Sequence, residues 1–125
     1  MPRRVLKYMR LRDQLLKHKS FLQKLDKVKS KDKIKSIISE ATPQEILVLC
    51  NLIVAHFDEP QEIKFERKVA RKIKTSRYYN FIKKHFDPQK VLPTSAEGRK
   101  YLFRIASLIK LFTNNILSSS NIFPK

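Results

Sequence analysis

The 125-residue chain is strongly basic, because 28 lysine and arginine residues outnumber 11 acidic ones and give a formal net charge of +17. It contains one cysteine and one glycine. A single cysteine excludes an internal disulfide and favours a reducing, intracellular compartment, and a β-rich fold would need more glycine for its turns. This length suits one domain with one core, and the charge favours polyanionic partners.

The N-terminal region predicts a helix from Val5 to Val28. Its inward side is a leucine stripe in which His18 takes one position, with Leu11, Leu15, Leu22 and Leu25 at the others. The basic start is not followed by the apolar run of a secretory signal, while the arginine-rich residues 1–12 leave a mitochondrial presequence open. Ser30 then caps a short second helix, whose apolar face combines Ile34, Ile37, Ile38 and Ala41.

The central helix of the fold is predicted at residues 42–58. Thr42 is its N-cap, Pro43 takes the first helical position, and Glu45 completes a capping box. Between residues 46 and 57 only Asn51 and His56 are polar. A helix without a polar face has to be surrounded by protein, and this one is shorter than the roughly 20 apolar residues of a membrane span. We therefore predict a buried helix around which the others pack.

A basic helix is expected from about Glu66 to His85, after Pro60 has ended the central helix. Thr75-Ser76 bends or divides it, and its inward residues are Val69, Ile73, Phe81 and Ile82.

The last helix begins at a second capping box, Thr94 to Glu97. Its apolar stripe is formed by Leu102, Ile105, Leu108, Ile109, Phe112 and Ile116. Residues 118–125 predict a flexible tail, with docking of Ile122 and Phe123 left open. The whole pattern predicts an all-α fold: a compact bundle of five to six helices around the central helix, in a single basic domain of residues 1–117.

Catalytic chemistry has little support in the sequence. His18, His56 and His85 are far apart, and none has a metal-ligand spacing. Cys50 lies inside the apolar central helix, where a thiol is a small hydrophobe rather than a nucleophile. The sequence has no glycine-rich phosphate loop. We therefore expect no enzyme, no metal site and no cofactor.

The charge is divided between two basic flanks and a mildly acidic centre. Residues 1–40 carry 13 basic and 4 acidic side chains, residues 41–66 carry 1 and 5, and residues 67–110 carry 13 and 2. Whether the two flanks form one surface or two stays open.

The second flank contains the candidate nucleic-acid contacts, because its cations recur at helical spacing and a row of phosphates rewards such an array through counterion release. The first contact set is Arg67, Lys68, Arg71, Lys72, Lys74 and Arg77, and the second is Arg99, Lys100 and Arg104. Tyr78 and Tyr79 follow directly and can stack on unpaired bases. Lysine outnumbers arginine, which favours contact with the backbone over recognition of bases.

Three short runs resemble small basic proteins encoded by Polinton/Maverick elements and by adintovirus-like DNA viruses of animals. They are Phe21-Leu22-Gln23-Lys24-Leu25, the segment from Ile37 to Ile46, and Leu49-Cys50. A lysine-dense segment follows in both cases, so the resemblance covers about residues 21–84. The chain departs from that pattern because it has no glycine-rich apolar C-terminus and because its residues 67–84 are richer in aromatics. The resemblance implies a virion-associated or genome-condensing role, in a virion or a host nucleus.

The preferred hypothesis is sequence-independent nucleic-acid binding, with DNA favoured over RNA. A homo-oligomer or virion proteins stay open as further partners. The alternative is a helical protein-interaction module of the death-domain-like kind, or a structural subunit of a larger assembly. Membrane-surface binding through the first helix ranks lowest, because its lysines are scattered around the leucine stripe rather than confined to one polar face.

Overall fold

The computed structural model describes residues 11–58, 63–89, 93–119 and 122–123, and every regular element within these ranges is helical. The α-helical segments are residues 11–17 (α1), Lys19–Lys27 (α2), Lys31–Glu40 (α3), Pro43–Asp58 (α4), Arg67–Lys74 (α5), Tyr79–His85 (α6), Ser95–Arg104 (α7) and Ile109–Leu117 (α8), with a 3-10 turn at Ala106–Leu108. The all-α prediction is confirmed. The segments outnumber the five to six expected because three predicted helices are each divided.

The central helix is α4, as predicted. Its capping box is present, since the Glu45 N–H donates to Thr42 Oγ1 at 3.1 Å and the Thr42 N–H donates to Glu45 Oε1 at 2.9 Å. Residues 46 and 48–55 are all buried. Leu47 is the exception, at 37% exposed. Helix α7 packs against α4, and the burial of these residues shows that protein encloses the helix that the sequence makes most apolar.

Gly98 lets α7 approach α4 closely. A Cβ atom added at Gly98 would lie 2.6 Å from Cys50 Sγ and 3.2 Å from Ile46 Cγ2. Any larger residue therefore requires the side chains of α4 to move. The one glycine of the chain thus serves contact between helices rather than a turn.

The first predicted helix bends at His18, where α1 gives way to α2. The hydrogen-bond ladder continues across the bend, because the His18 N–H donates to Gln14 O at 3.0 Å and the Leu22 N–H to His18 O at 3.1 Å. All four predicted leucines are buried on both sides of it. The predicted residues before position 11 lie outside the described residues.

The basic helix is divided at the predicted place. Thr75 Oγ1 donates to Arg71 O at 2.9 Å, and Ser76 Oγ donates to Ile73 O at 2.7 Å. These hydroxyls bond the carbonyls at the end of α5, which competes with continuation of the helix. Four residues then pass before α6 begins at Tyr79.

The last predicted helix is also divided, which the sequence does not indicate. Its stripe is buried throughout, but Ile105 has φ −106° and ψ 24°, and a 3-10 turn follows. Helix α7 packs on α3 and α4, whereas α8 packs on α2 and α5. The bend allows one continuous apolar stripe to cover two different sides of the core.

Two residues of the predicted tail dock on the core, an outcome that the sequence left open. Ile122 is fully buried and Phe123 is 5% exposed, and the Phe123 N–H donates to Ser119 O at 2.9 Å. Two large apolar side chains gain more from the core than from solvent. The core therefore extends past the predicted domain end at residue 117.

Candidate nucleic-acid interface

Helix α5 carries its cations on its solvent side. Ile73 is buried, and Val69 and Ala70 are half-buried, where α5 packs against α8. All five basic residues of the helix are exposed: Arg67, Lys68, Arg71, Lys72 and Lys74. We call these five residues the α5 basic face. They belong to the first predicted contact set, and the structure leaves their charged groups accessible on one short helix.

The start of α5 is anchored by Asn115, a residue that the sequence patterns do not single out. Asn115 Oδ1 accepts from the Glu66 N–H at 3.0 Å, and Asn115 Nδ2 donates to Lys64 O at 3.0 Å. Asn115 is 5% exposed, so a buried amide on α8 satisfies backbone groups at the entry of α5 that would otherwise need water. The α5 basic face is thereby fixed to the core.

Arg77 follows α5 in the turn that leads to α6. Its guanidinium lies 5.0 Å from the centre of the Tyr78 ring, and Arg77 Nη2 donates to the Tyr78 hydroxyl at 3.0 Å. Arg77 is exposed and Tyr78 is half-buried. The sixth residue of the first contact set is thus accessible, but it is paired with an aromatic ring.

Cations from both basic flanks of the sequence act on Tyr78. The hydrogen bond from Arg77 lowers the pKa of the Tyr78 hydroxyl, and the positive charges of Arg77, Lys31 and Arg104 add to this effect. Lys31 begins α3 and Arg104 ends α7. Helix α3 packs against α7 and the following 3-10 turn, so an element of the first basic flank lies beside elements of the second.

We call this group, together with Phe81, the Tyr78 cluster. Phe81 belongs to it because the Arg104 guanidinium lies 5.2 Å from the centre of the Phe81 ring. The two flanks, which lie far apart in the sequence, therefore contribute to one surface here. No feature of the local sequence distinguishes Lys31 from the neighbouring lysines of residues 29–35.

Aromatic rings continue from this cluster along α6 and α7. His85 stacks on Tyr101 with ring centres 4.1 Å apart, and Phe81 lies 4.6 Å from His85 and 5.8 Å from Tyr101. All three rings are half-buried. They form the contact between the two helices and hold Phe81 in place beside Arg104.

The structure places the three residues of the second predicted contact set in different surroundings. Arg104 is in the Tyr78 cluster and Lys100 is exposed. Arg99 is half-buried, and its guanidinium donates to the main-chain oxygens of Ile38, Ser39 and Ala41 at 2.6, 3.0 and 3.1 Å. Arg99 thus satisfies carbonyls at the C-terminal end of α3.

His56 and Cys50 pack against neighbouring side chains. His56 meets the rings of Phe57, Phe65 and Phe112 edge-on, with centres 5.0, 5.0 and 5.8 Å away. Cys50 is buried against α7. Within residues 11–58, 63–89, 93–119 and 122–123, no three side chains of the types that bind metals come together.

Comparisons with known proteins give no relative. No family model matches the chain, no curated protein is significantly similar to it, and no solved structure shares its fold at a significant level. Among the helices that the structure describes, none combines the length and the hydropathy needed to cross a bilayer.

Proposed function

We propose that the protein binds nucleic acid without sequence preference, and DNA before RNA, by contacting the phosphate backbone. The α5 basic face and the Tyr78 cluster are the contact surface. The observation that carries the proposal is the exposure of every cation on α5, together with the exposed Arg77 and Arg104 over the rings of Tyr78 and Phe81.

The size of the charge favours binding over simple solubility. A net charge of about 2–8 keeps a small domain soluble, whereas this chain carries +17. Such an excess opposes compaction of the fold, and the acidic groups to offset it are few. When lysine and arginine neutralise the phosphates of a nucleic acid, the cations condensed on the nucleic acid are released, and this release supplies favourable free energy.

The expected contacts position a strand and do not specify its sequence. Most cations of the chain are lysines, which act on phosphate as point charges, whereas bidentate recognition of guanine uses arginine. Condensation of a viral genome is a role that needs no more than this. It is also the role implied by the resemblance of residues 21–84 to proteins of Polinton-like elements.

Salt dependence tests the proposal. Labelled duplex DNA is titrated with the protein at several salt concentrations, and the logarithm of the association constant is plotted against the logarithm of salt. Each neutralised phosphate contributes a slope of about −0.9 on duplex DNA, so the six exposed cations of residues 67–77 predict a slope of roughly −5. Affinity that hardly changes with salt would rule out the proposal.

A protein-interaction module is the second candidate, and the exposed Leu47 on an otherwise buried helix favours it. The burial of Ile122 and Phe123 removes the apolar C-terminus as its contact surface. Protein purified without nuclease treatment distinguishes the two candidates. Co-purified nucleic acid, seen as a high ratio of absorbance at 260 to 280 nm, supports the first, and a nucleic-acid-free complex with another protein supports the second.

A further inference from the structure

The two parts of the proposed contact surface differ in composition. The α5 basic face has no aromatic residue, since the only other side chains of Arg67–Lys74 are valine, alanine and isoleucine. The Tyr78 cluster combines cations with rings. Binding a phosphate backbone does not require rings, so their presence in only one part of the surface needs a separate explanation.

Each of three neighbouring rings has a cation over it. Arg77 lies over Tyr78 at 5.0 Å, Lys83 over Tyr79 at 5.9 Å, and Arg104 over Phe81 at 5.2 Å. All three cations are exposed, and all three rings are half-buried. Each of these rings is therefore partly exposed and has an exposed positive charge next to it.

The rings are also held in fixed positions. The Tyr78 hydroxyl accepts a hydrogen bond from Arg77, Tyr79 lies against Phe57 with ring centres 6.3 Å apart, and Phe81 contacts both rings of the stacked pair His85 and Tyr101. A ring that is already ordered loses little conformational entropy when a ligand stacks on it.

We propose that the Tyr78 cluster, with the adjacent Tyr79, binds an unpaired nucleic-acid strand. Bases stack on Tyr78 and Tyr79, while the flanking phosphates contact Arg77 and Arg104. The combination of a cationic surface with stacking rings is what single-strand binding uses, and it tolerates any sequence because every base has a π-face. In a duplex the bases are already stacked, so a duplex engages only the cations.

This inference rests on the proposed function, and the test separates the two. Three labelled probes of equal length are compared by fluorescence anisotropy: a thymidine homopolymer, an abasic strand with the same phosphate backbone, and a duplex. Stacking predicts that the thymidine strand binds roughly 5-fold or more tightly than the abasic strand for each stacked base. The abasic strand is the matched control, because it keeps the phosphates and removes only the bases.

Variants assign the effect to the two tyrosines. The double variant Tyr78→Leu, Tyr79→Leu keeps apolar bulk and is expected to bind the thymidine strand no better than the abasic strand. The double variant Tyr78→Phe, Tyr79→Phe keeps the rings and is expected to retain the preference. Circular dichroism of both variants checks that the helices remain.

Intrinsic fluorescence gives a second measurement that needs no variant. The chain has four tyrosines and no tryptophan, so tyrosine supplies its emission. The thymidine strand is expected to quench this emission, because a stacked base contacts the ring, and the abasic strand is expected to quench it much less.

The possible outcomes are distinct. Equal, salt-dependent affinity for the thymidine and abasic strands, without selective quenching, would overturn the stacking site and leave the proposed function intact. Salt-independent affinity, or no binding of any probe, would overturn both. A preference for thymidine that survives in the double leucine variant would overturn the assignment to Tyr78 and Tyr79.

Discussion

Arg99 on α7 donates a hydrogen bond to the main-chain oxygen of Ile38 at the end of α3, at 2.6 Å. Two further hydrogen bonds, to the main-chain oxygens of Ser39 and Ala41, attach α7 to the C-terminal end of α3. Helix α3 belongs to the first basic flank and α7 to the second, so this contact holds the two flanks side by side.

Replacing Arg99 by lysine should lower stability more than it lowers binding. Lysine keeps the charge but loses the planar fork that reaches three carbonyls, and a net hydrogen bond to a charged group contributes about 1.5–3 kcal/mol. We expect Arg99→Lys to reduce the free energy of unfolding by about 1–3 kcal/mol in urea denaturation. Affinity for DNA should stay close to that of the wild type.

Arg104→Gln is the matched comparison for Arg99→Lys. Arg104 is exposed and ends α7, so its loss should weaken binding and reduce the salt slope by about one, with a small effect on stability. If Arg99→Lys and Arg104→Gln had equal effects on the free energy of unfolding and on DNA affinity, the assignment of Arg99 to stability and of Arg104 to binding would be contradicted.

Gly98→Ala should destabilise the protein through its contact with Cys50. The added Cβ would lie 2.6 Å from Cys50 Sγ, and overpacking a core costs about 1–3 kcal/mol. This exceeds the roughly 1 kcal/mol that alanine gains over glycine within a helix. Cys50→Ala removes the sulfur, so the double variant should be more stable than the sum of the two single effects predicts. Additive changes in the free energy of unfolding would show that the two positions are not in contact.

The helix caps could be predicted from the sequence because they are local. Ser30, Thr42 and Thr94 each accept a hydrogen bond from a backbone N–H three residues further on. The contacts that build the interface are not local. Arg99 reaches carbonyls that are 58 to 61 residues away, and Arg104 at the end of α7 lies over the ring of Phe81 on α6.

The division of the last helix at Ile105 also results from contacts between segments that are distant in the sequence. The apolar stripe continues through the bend, and the sequence has no proline or glycine there. The bend follows from packing against two different sets of helices, which a single segment does not reveal. The exposed cations of α5 could be predicted because they alternate with Val69 and Ile73 at helical spacing.

Charge reversal on α5 should abolish binding of duplex DNA. The variant changes four exposed cations to glutamate, at Arg67, Lys68, Arg71 and Lys72. Reversed charges repel phosphate instead of releasing counterions, while the buried Ile73 keeps the helix on the core. Anisotropy with labelled duplex measures the loss, and circular dichroism should remain helical.

The control for this variant reverses the same number of charges elsewhere. Four exposed lysines of the first flank serve the purpose: Lys24, Lys27, Lys29 and Lys33. This control has the same net charge as the α5 variant, so it should weaken binding only through the general field of the protein. An equal loss in the two variants would argue against a defined surface on α5.

Titration of Tyr78 reports whether the cations around it are engaged. The hydrogen bond and the charge of Arg77 hold the pKa of the Tyr78 hydroxyl below its ordinary value of 10.0. Arg77→Leu should therefore raise this pKa, and a bound nucleic acid should raise it as well, because phosphate neutralises Arg77, Lys31 and Arg104. Phenolate absorbance followed during alkaline titration measures the shift, and Tyr78→Phe identifies the step that belongs to this residue.

The lowered pKa of Tyr78 favours the phenolate in the folded protein, so it stabilises the fold only at alkaline pH. This stabilisation is lost as the pH falls, and the free energy of unfolding at neutral pH should be unaffected by it. A Tyr78 step that stays in place when DNA binds would mean that phosphate does not reach this cluster.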